Sequence, residues 1–268
     1  GMGVSEQNMA SVASGMAAMG KIPFIASYAM FSPGRNWEQI RTTIAYNNVG
    51  VKIVGAHAGV SVGPDGGTHQ ALEDVAIMRT MPNMTVIVPM DAIEAKKATI
   101  AIASTSTPTY LRLFREKSPV ITNADTPFMI GVANLVYESK VKQAKNIGII
   151  ANGEMVSRAL FCIEDMEDMG ISVSVLNLHT VKPLDEKGIT NFVEKNKNIL
   201  TIEEHQIAGG MGSAVLEFLA KANLLKELKV QMIGVADRFG QSGTKEELFK
   251  EYGLDEDSIM KSVKEFFN

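Results

Sequence analysis

The chain has 268 residues, 46% of them apolar and 21% charged, with a formal net charge of −4. That length suits one large domain or two of roughly 130 residues, given ~100–200 residues per domain. The composition is that of a folded globular protein, which excludes disorder. The acidic balance argues against nucleic acid as the main partner, because binding a polyanion needs a basic field. No apolar run approaches the ~20 residues of a membrane span, so no membrane partner is expected. The opening GMGVSEQNMA has neither the basic region nor the apolar core of a signal peptide. Cys162 is the single cysteine, which leaves no internal disulfide and no thiolate metal cluster. The expectation is a cytoplasmic α/β protein.

In chain order, Met9, Val12, Ala13, Met16 and Ala17 recur at helical spacing. They predict a helix with one apolar face, Ser5 as its N-cap and Gly20 as its stop. Ile22–Ser27 reads as a strand, Asn36–Tyr46 as a helix with Trp37, Ile40 and Ile44 facing inward, and Val51–Gly55 as a strand. A Gly-rich loop follows from His57 to Gln70. Next come helix Ala71–Thr80, strand Met84–Val88, helix Ala92–Ser104 and strand Thr109–Leu113. Arg115–Lys145 is rich in Pro, Asp, Asn and Lys, and reads as a linker carrying an edge strand near Ala133–Tyr137. A second series has strands Ile147–Ala151, Ser172–Leu176, Ile199–Ile202 and Val230–Gly234. Its helices are Met155–Met169, Asp185–Lys195, Gly210–Leu225, Lys245–Tyr252 and Asp255–Phe267. Strands separated by helices imply parallel sheets with helices on their faces. The fold class is therefore α/β, with two three-layer α/β/α domains and mostly parallel sheets. The division is 1–116, a linker at 117–145, and 146–268.

The residues that carry chemistry each have a plain reading and a functional one. Glu6, at a helix start, complements the positive end of the macrodipole. It can equally be a carboxylate in an apolar cleft, with a raised pKa and a proton to share. His57 and His69 flank a loop containing Gly59, Gly63, Gly66 and Gly67, with Asp65 between them. The glycines let backbone approach a ligand, and the loop follows a strand, where parallel sheets bind ligands. Tyr28 and Phe31 are core aromatics or a platform for a flat ring. Arg115, at a strand end, is a solvated edge charge or a fork for a phosphate. Arg35 and Arg41 are expected in structural ion pairs, His179 in a turn, His205 before a Gly-rich helix start, and Cys162 in the core.

Taken together, GVSEQNM, SYAMF…GRNWEQIR, HAGVSVGPDGGTHQALEDVAIMRTMPNMTVIVPMDA and LRLFRE resemble the pyrimidine-binding domain of transketolase. ANGEMVSRAL…VLNLHTVKPLD…EEHQIAGGMGSAV is similar to the transketolase C-terminal domain. The match is to the small subunit of split transketolases, or to the C-terminal section of the single-chain enzyme. The resemblance implies that Glu6 hydrogen-bonds N1′ of the thiamine diphosphate aminopyrimidine, favouring the imino tautomer that takes the C2 proton. It implies that Tyr28 and Phe31 flank the pyrimidine. It further implies that His57, His69 and Asp65 contact the sugars, and that Arg115 binds the sugar phosphate. Many single-chain members carry a third aromatic where this chain has Gly34.

No segment here resembles the motif that binds Mg²⁺ and the diphosphate. The resemblance therefore implies a partner N-terminal transketolase subunit, and a homodimer or α2β2 assembly acting on sugar phosphates in the pentose phosphate pathway. A helix and strand that usually precede the GVSEQNM segment are missing, so the first sheet is expected to be N-terminally truncated, with a face exposed or covered by a partner. Two relatives in architecture stay open: 1-deoxyxylulose-5-phosphate synthase, and the β subunit of a 2-oxoacid dehydrogenase. A reading of another class also stays open, an inactive truncated fragment serving only in assembly.

Overall fold

A computed structural model describes residues 1–140 and 142–267; Val141, in the expected linker, and Asn268 lie outside the described residues. α1 (Glu6–Ala18) leads to β1 (Phe24–Tyr28), the one-turn α2 (Trp37–Gln39) and β2 (Lys52–Ala56). Then follow α3 (Asp74–Arg79), β3 (Thr85–Ile87), α4 (Ala92–Ala103), β4 (Thr109–Arg112) and β5 (Asn134–Glu138). The second half holds β6 (Lys145–Ala151), α5 (Met155–Phe161), α6 (Ile163–Asp168), β7 (Ile171–Asn177), β8 (Thr180–Lys182) and α7 (Glu186–Lys195). It ends with β9 (Asn198–Gln206), α8 (Met211–Lys221), β10 (Lys229–Val235), α9 (Lys245–Glu251) and α10 (Glu256–Phe266).

The strands form two five-stranded sheets, ordered β1-β2-β4-β3-β8 and β10-β9-β6-β7-β5. In the first, β1, β2, β4 and β3 run parallel and β8 is antiparallel. In the second, only β5 is antiparallel, at the edge beside β7. The mostly parallel α/β architecture expected from the sequence is what the chain adopts. Continuous apolar runs explain it: Ile147, Ile149, Ile150 and Ala151 of β6 are all buried, as strands covered on both faces must be. β8 has no counterpart among the expected strands. Its three residues carry no alternation, and it adds to a sheet built by the other half of the chain.

Several boundaries differ from expectation for local reasons. Asn36–Tyr46 is not one regular helix: after α2 the backbone widens into a π-helix over Ile40–Ala45, which still buries Ile40 and Ile44. The helix expected over Met155–Met169 breaks at Cys162, whose N–H bonds the Ala159 carbonyl in a tighter turn. α1 buries Glu6, Ala10, Ala13 and Ser14, while Val12 and Met16 of the expected apolar face are exposed. Small residues decide that choice. They let α1 close on the π-helix, where the Ser14 hydroxyl donates to Thr43 O at 2.6 Å. Ser5 offers no side-chain cap to α1.

The halves are joined by more than the linker. One apolar cluster runs from Ile53, Met84 and Val86 to Ile150, Leu176 and Val215. Asp91 caps α4 by accepting from Glu94 N at 2.8 Å, and it also accepts from the amides of Ile121 and Thr122. Glu94 folds back to Met90 N at 2.7 Å and accepts from Asn177 Nδ2 of β7 at 2.8 Å. Burial pushes its carboxyl up to about 7. A carboxyl raised on folding stabilises the fold fully below its unfolded pKa, and that contribution is lost as pH rises through the folded value. The urea midpoint is therefore expected to fall between about pH 5 and about pH 8, and Glu94→Gln to flatten part of that fall. An equal slope in the variant would show that Glu94 is already ionised at the lower pH.

Candidate active site

The candidate residues converge where adjacent parallel strands end. Tyr28 closes β1, His57 follows β2, and Arg115 lies just beyond β4. This is the carboxyl edge of the sheet, where α/β folds place ligands. His57 has φ +54°, an uncommon conformation for a residue with a side chain. The turn swings its ring onto Tyr28, centroid to centroid 4.1 Å and 12° from parallel. His69 meets Tyr28 and Phe31 edge-on at 6.0 and 5.4 Å. Both aromatics are half-buried, so they wall a cleft rather than fill a core.

Asp65 and Arg115 form an ion pair at 3.2 Å, and Arg115 Nη1 also donates to Val62 O at 2.7 Å. Burial first, then the charge of Arg115, pulls the His57 imidazolium below its usual range, against smaller opposing effects of Asp65 and Glu116. The ring is thus neutral near pH 7, able to donate from one nitrogen and accept at the other. Its buried Nδ1 has no hydrogen-bond partner among the described residues.

Glu6 stands at the first turn of α1, its side chain 8% exposed. One oxygen accepts from Ser27 Oγ at 3.2 Å and the other from Arg35 Nη1 at 2.8 Å. Asn36 fixes the same residue by donating to Glu6 O at 3.0 Å. The raised pKa expected for this carboxyl is not what the fold produces. Burial would raise it, but its own backbone N–H, the Arg35 pair and Ser27 outweigh burial and hold it below the ordinary range. Arg35 is in an ion pair as expected, and its partner is Glu6 itself. The same guanidinium lies 4.7 Å from the Phe31 ring centroid. Gly34 leaves no room for the third aromatic of the single-chain pattern, because a Cβ there would meet Met30 O at 2.0 Å.

Other charged groups at this edge escaped sequence reasoning. Arg112, at the end of β4, donates to Asp74 at 2.8 Å and to Glu204 O at 2.8 Å. Tyr110 donates to the same Asp74 oxygen at 2.6 Å. Glu203 accepts from the amides of Met211 and Gly212 at 2.7 and 2.8 Å, at the start of α8. The Gly-rich helix start after His205 thus already holds a carboxylate of its own chain. Alternating charge in a strand sequence signals nothing by itself, since these partners lie far apart in the chain. Among the described residues no group of three or more His, Cys, Asp or Glu side chains could hold a metal ion.

Residues 1–120 match the transketolase pyrimidine-binding domain, and residues 137–259 match the transketolase C-terminal domain. The fold is thus that of a pyrimidine-binding α/β domain followed by that C-terminal domain. The chain belongs to the transketolase family. It is 42% identical over 266 residues to a Methanocaldococcus jannaschii protein provisionally named as a transketolase C-terminal section, covering 98% of this chain and 81% of that one. It is 36% identical to a 6-deoxy-6-sulfo-D-fructose transketolase subunit of Clostridium sp. (strain MSTE9), covering 98% of this chain and 80% of that one. A solved split-gene transketolase, described as an inactive β4 tetramer, superimposes with a TM-score of 0.87 at 35% identity, covering 97% of this chain and 81% of that one. Transketolases generally bind thiamine diphosphate and a divalent metal ion.

Proposed function

We propose that this chain is the pyrimidine-side subunit of a split transketolase, moving a two-carbon ketol unit between sugar phosphates once a partner subunit holds the diphosphate and Mg²⁺. In this reading residues 1–116 form the pyrimidine-binding domain, 117–145 the linker and 146–268 the C-terminal domain, and the assembly is a cytoplasmic homodimer or α2β2 complex.

One observation carries the proposal. The Arg35 guanidinium, a flat N–H donor, touches the Glu6 carboxylate and the Phe31 face together. A planar ring with hydrogen-bonding nitrogens fits the same seat, so the residues present suit an aminopyrimidine. Arg35 is 46% exposed along its side chain and can turn to solvent when the seat is taken. Thiamine diphosphate, when bound, supplies the carbanion chemistry of ketol transfer. Glu6 holds and exchanges a proton at the pyrimidine N1′ through its carboxylate. Tyr28 and Phe31 orient the ring, with Tyr28 backed by His57. His57 and His69 donate hydrogen bonds to sugar oxygens as charge develops on them. Asp65 accepts from a sugar hydroxyl, and Arg115 forks onto the substrate phosphate.

Calorimetry tests this directly. Thiamine diphosphate with Mg²⁺ is expected to give negligible heat with the isolated chain, and saturable, Mg²⁺-dependent binding once the partner subunit is added. The mixture, and neither chain alone, is expected to turn over xylulose 5-phosphate with ribose 5-phosphate. Tight cofactor binding by the chain by itself would contradict the divided site. Turnover of pyruvate without turnover of sugars would move the assignment to a rival of the same architecture, and a bound cofactor with no turnover at all would leave the assembly-only reading.

A further inference from the structure

The His57 turn is strained, and something must hold it. Left-handed conformations recur at His57 and at Gly59, where φ is +87°. The backbone there is tied at successive amides. Ala58 N–H donates to Leu113 O at 3.1 Å, and Gly59 N–H to Ala71 O at 2.9 Å, both within the first domain. The next tie comes from the other domain: Ser61 N–H donates to Glu204 Oε1 of β9 at 2.6 Å. The fit is close. A Cβ on Gly59 would lie 2.2 Å from the same carboxylate oxygen, so only glycine lets the turn settle on Glu204.

The same domain grips the far side of the loop. Gln70 Nε2 donates to Gln241 O at 2.9 Å and to Val60 O at 3.1 Å, and Ser242 Oγ donates to Pro64 O at 2.8 Å. Glu204 is 4% exposed. A buried carboxylate is a costly way to fill space, and an apolar side chain would pack more cheaply. Burial pushes the carboxyl up to about 7, against the smaller opposing pull of Arg112 and of the Ser61 amide, and the group is held there by what it does for that amide.

We infer that Glu204 is a positioning residue: from the C-terminal domain it fixes the Gly59–Ser61 backbone and thereby sets the His57 ring against Tyr28 for sugar binding. The inference rests on the proposed function for what His57 contacts, and on the loop's own geometry for the grip. It gives the C-terminal domain a task at the site, although none of its side chains belongs to the proposed set of cofactor and sugar contacts.

The test uses Glu204→Met, which keeps volume and removes the acceptor, and Glu204→Gln, which restores an oxygen without the charge. In the isolated chain the Ser61 amide is expected to exchange with deuterium at least about tenfold faster in the Met variant, with β6 amides unchanged and the Gln variant between the two. In the two-chain complex the Met variant is expected to raise KM for the donor sugar phosphate and lower kcat/KM at least about tenfold, with thiamine diphosphate affinity unchanged and partial rescue by Gln. Unaltered Ser61 exchange overturns the inference. So does faster exchange spread equally over β6, or a freed loop with unaltered sugar kinetics. Should the Met variant not fold, the Gln variant alone decides: faster Ser61 exchange than wild type with β6 unchanged is expected, and wild-type Ser61 exchange overturns the inference. Failure of the proposed function is separable: it would appear as sugar turnover independent of Glu6, while exchange in the lone chain still decides the case of Glu204.

Discussion

If the chain works as proposed, replacing Glu6 with glutamine in the two-chain complex is expected to lower ketol transfer by about three orders of magnitude, within the usual range for losing a positioned acid–base group. The amide keeps the shape of the side chain and can still accept from Ser27, but it cannot perform the proton exchange proposed for Glu6. The structural cost is small. The Arg35–Glu6 pair has one partner 46% exposed, and pairs open to water contribute about 0–1 kcal/mol. The thermal midpoint should therefore move by only a few degrees while the rate collapses. A coupled sugar-phosphate assay beside a melting curve separates the two effects. Wild-type turnover in the variant would remove Glu6 from the mechanism.

The largest loss of stability is expected from Arg112→Met. The guanidinium is 5% exposed and sits between Asp74, which also accepts from Tyr110, and the backbone carbonyls of Ala71 and Glu204. Breaking a buried pair from one side leaves an uncompensated charge and costs about 3–5 kcal/mol. Here the stranded groups are the Asp74 carboxylate and, close by, Glu204. The urea midpoint should fall sharply with the slope preserved. Asp74→Asn combined with Arg112→Met should recover part of the loss, because the second change removes the stranded charge. A single-variant effect below about 1 kcal/mol would mean that water reaches the pair and screens it.

What the sequence showed and what it hid divide along a physical line. Buried strands announce themselves as apolar runs, so β6, β7 and β9 were legible, and the cluster of glycines between His57 and His69 marked backbone that approaches something. Their signals are local. The buried face of α1 is set by small residues, not large ones, because they allow close approach to the π-helix. The pairing of Arg35 with Glu6 could be expected only as an ion pair of unknown partner, since the residues are brought together by the turn after β1. Arg112, Asp74 and Glu204 were invisible for a stronger reason: 143 positions separate Ser61 from the carboxylate that holds it, and no periodicity spans that distance. The lowered pKa of Glu6 was likewise a property of neighbours that only folding supplies.

β8 gives the chain a property that its apparent modularity conceals. The strand crosses from the second half to seal the edge of β3, with Val86 opposite Lys182 and Ile87 opposite Thr180. Severed near the linker, the leading piece would expose raw hydrogen-bonding edge and seek any passing strand. The trailing piece would carry an orphaned ribbon with no sheet to join. Recombination between homologues at the linker should therefore be poorly tolerated, because a β8 from one parent must then seal the β3 edge of the other.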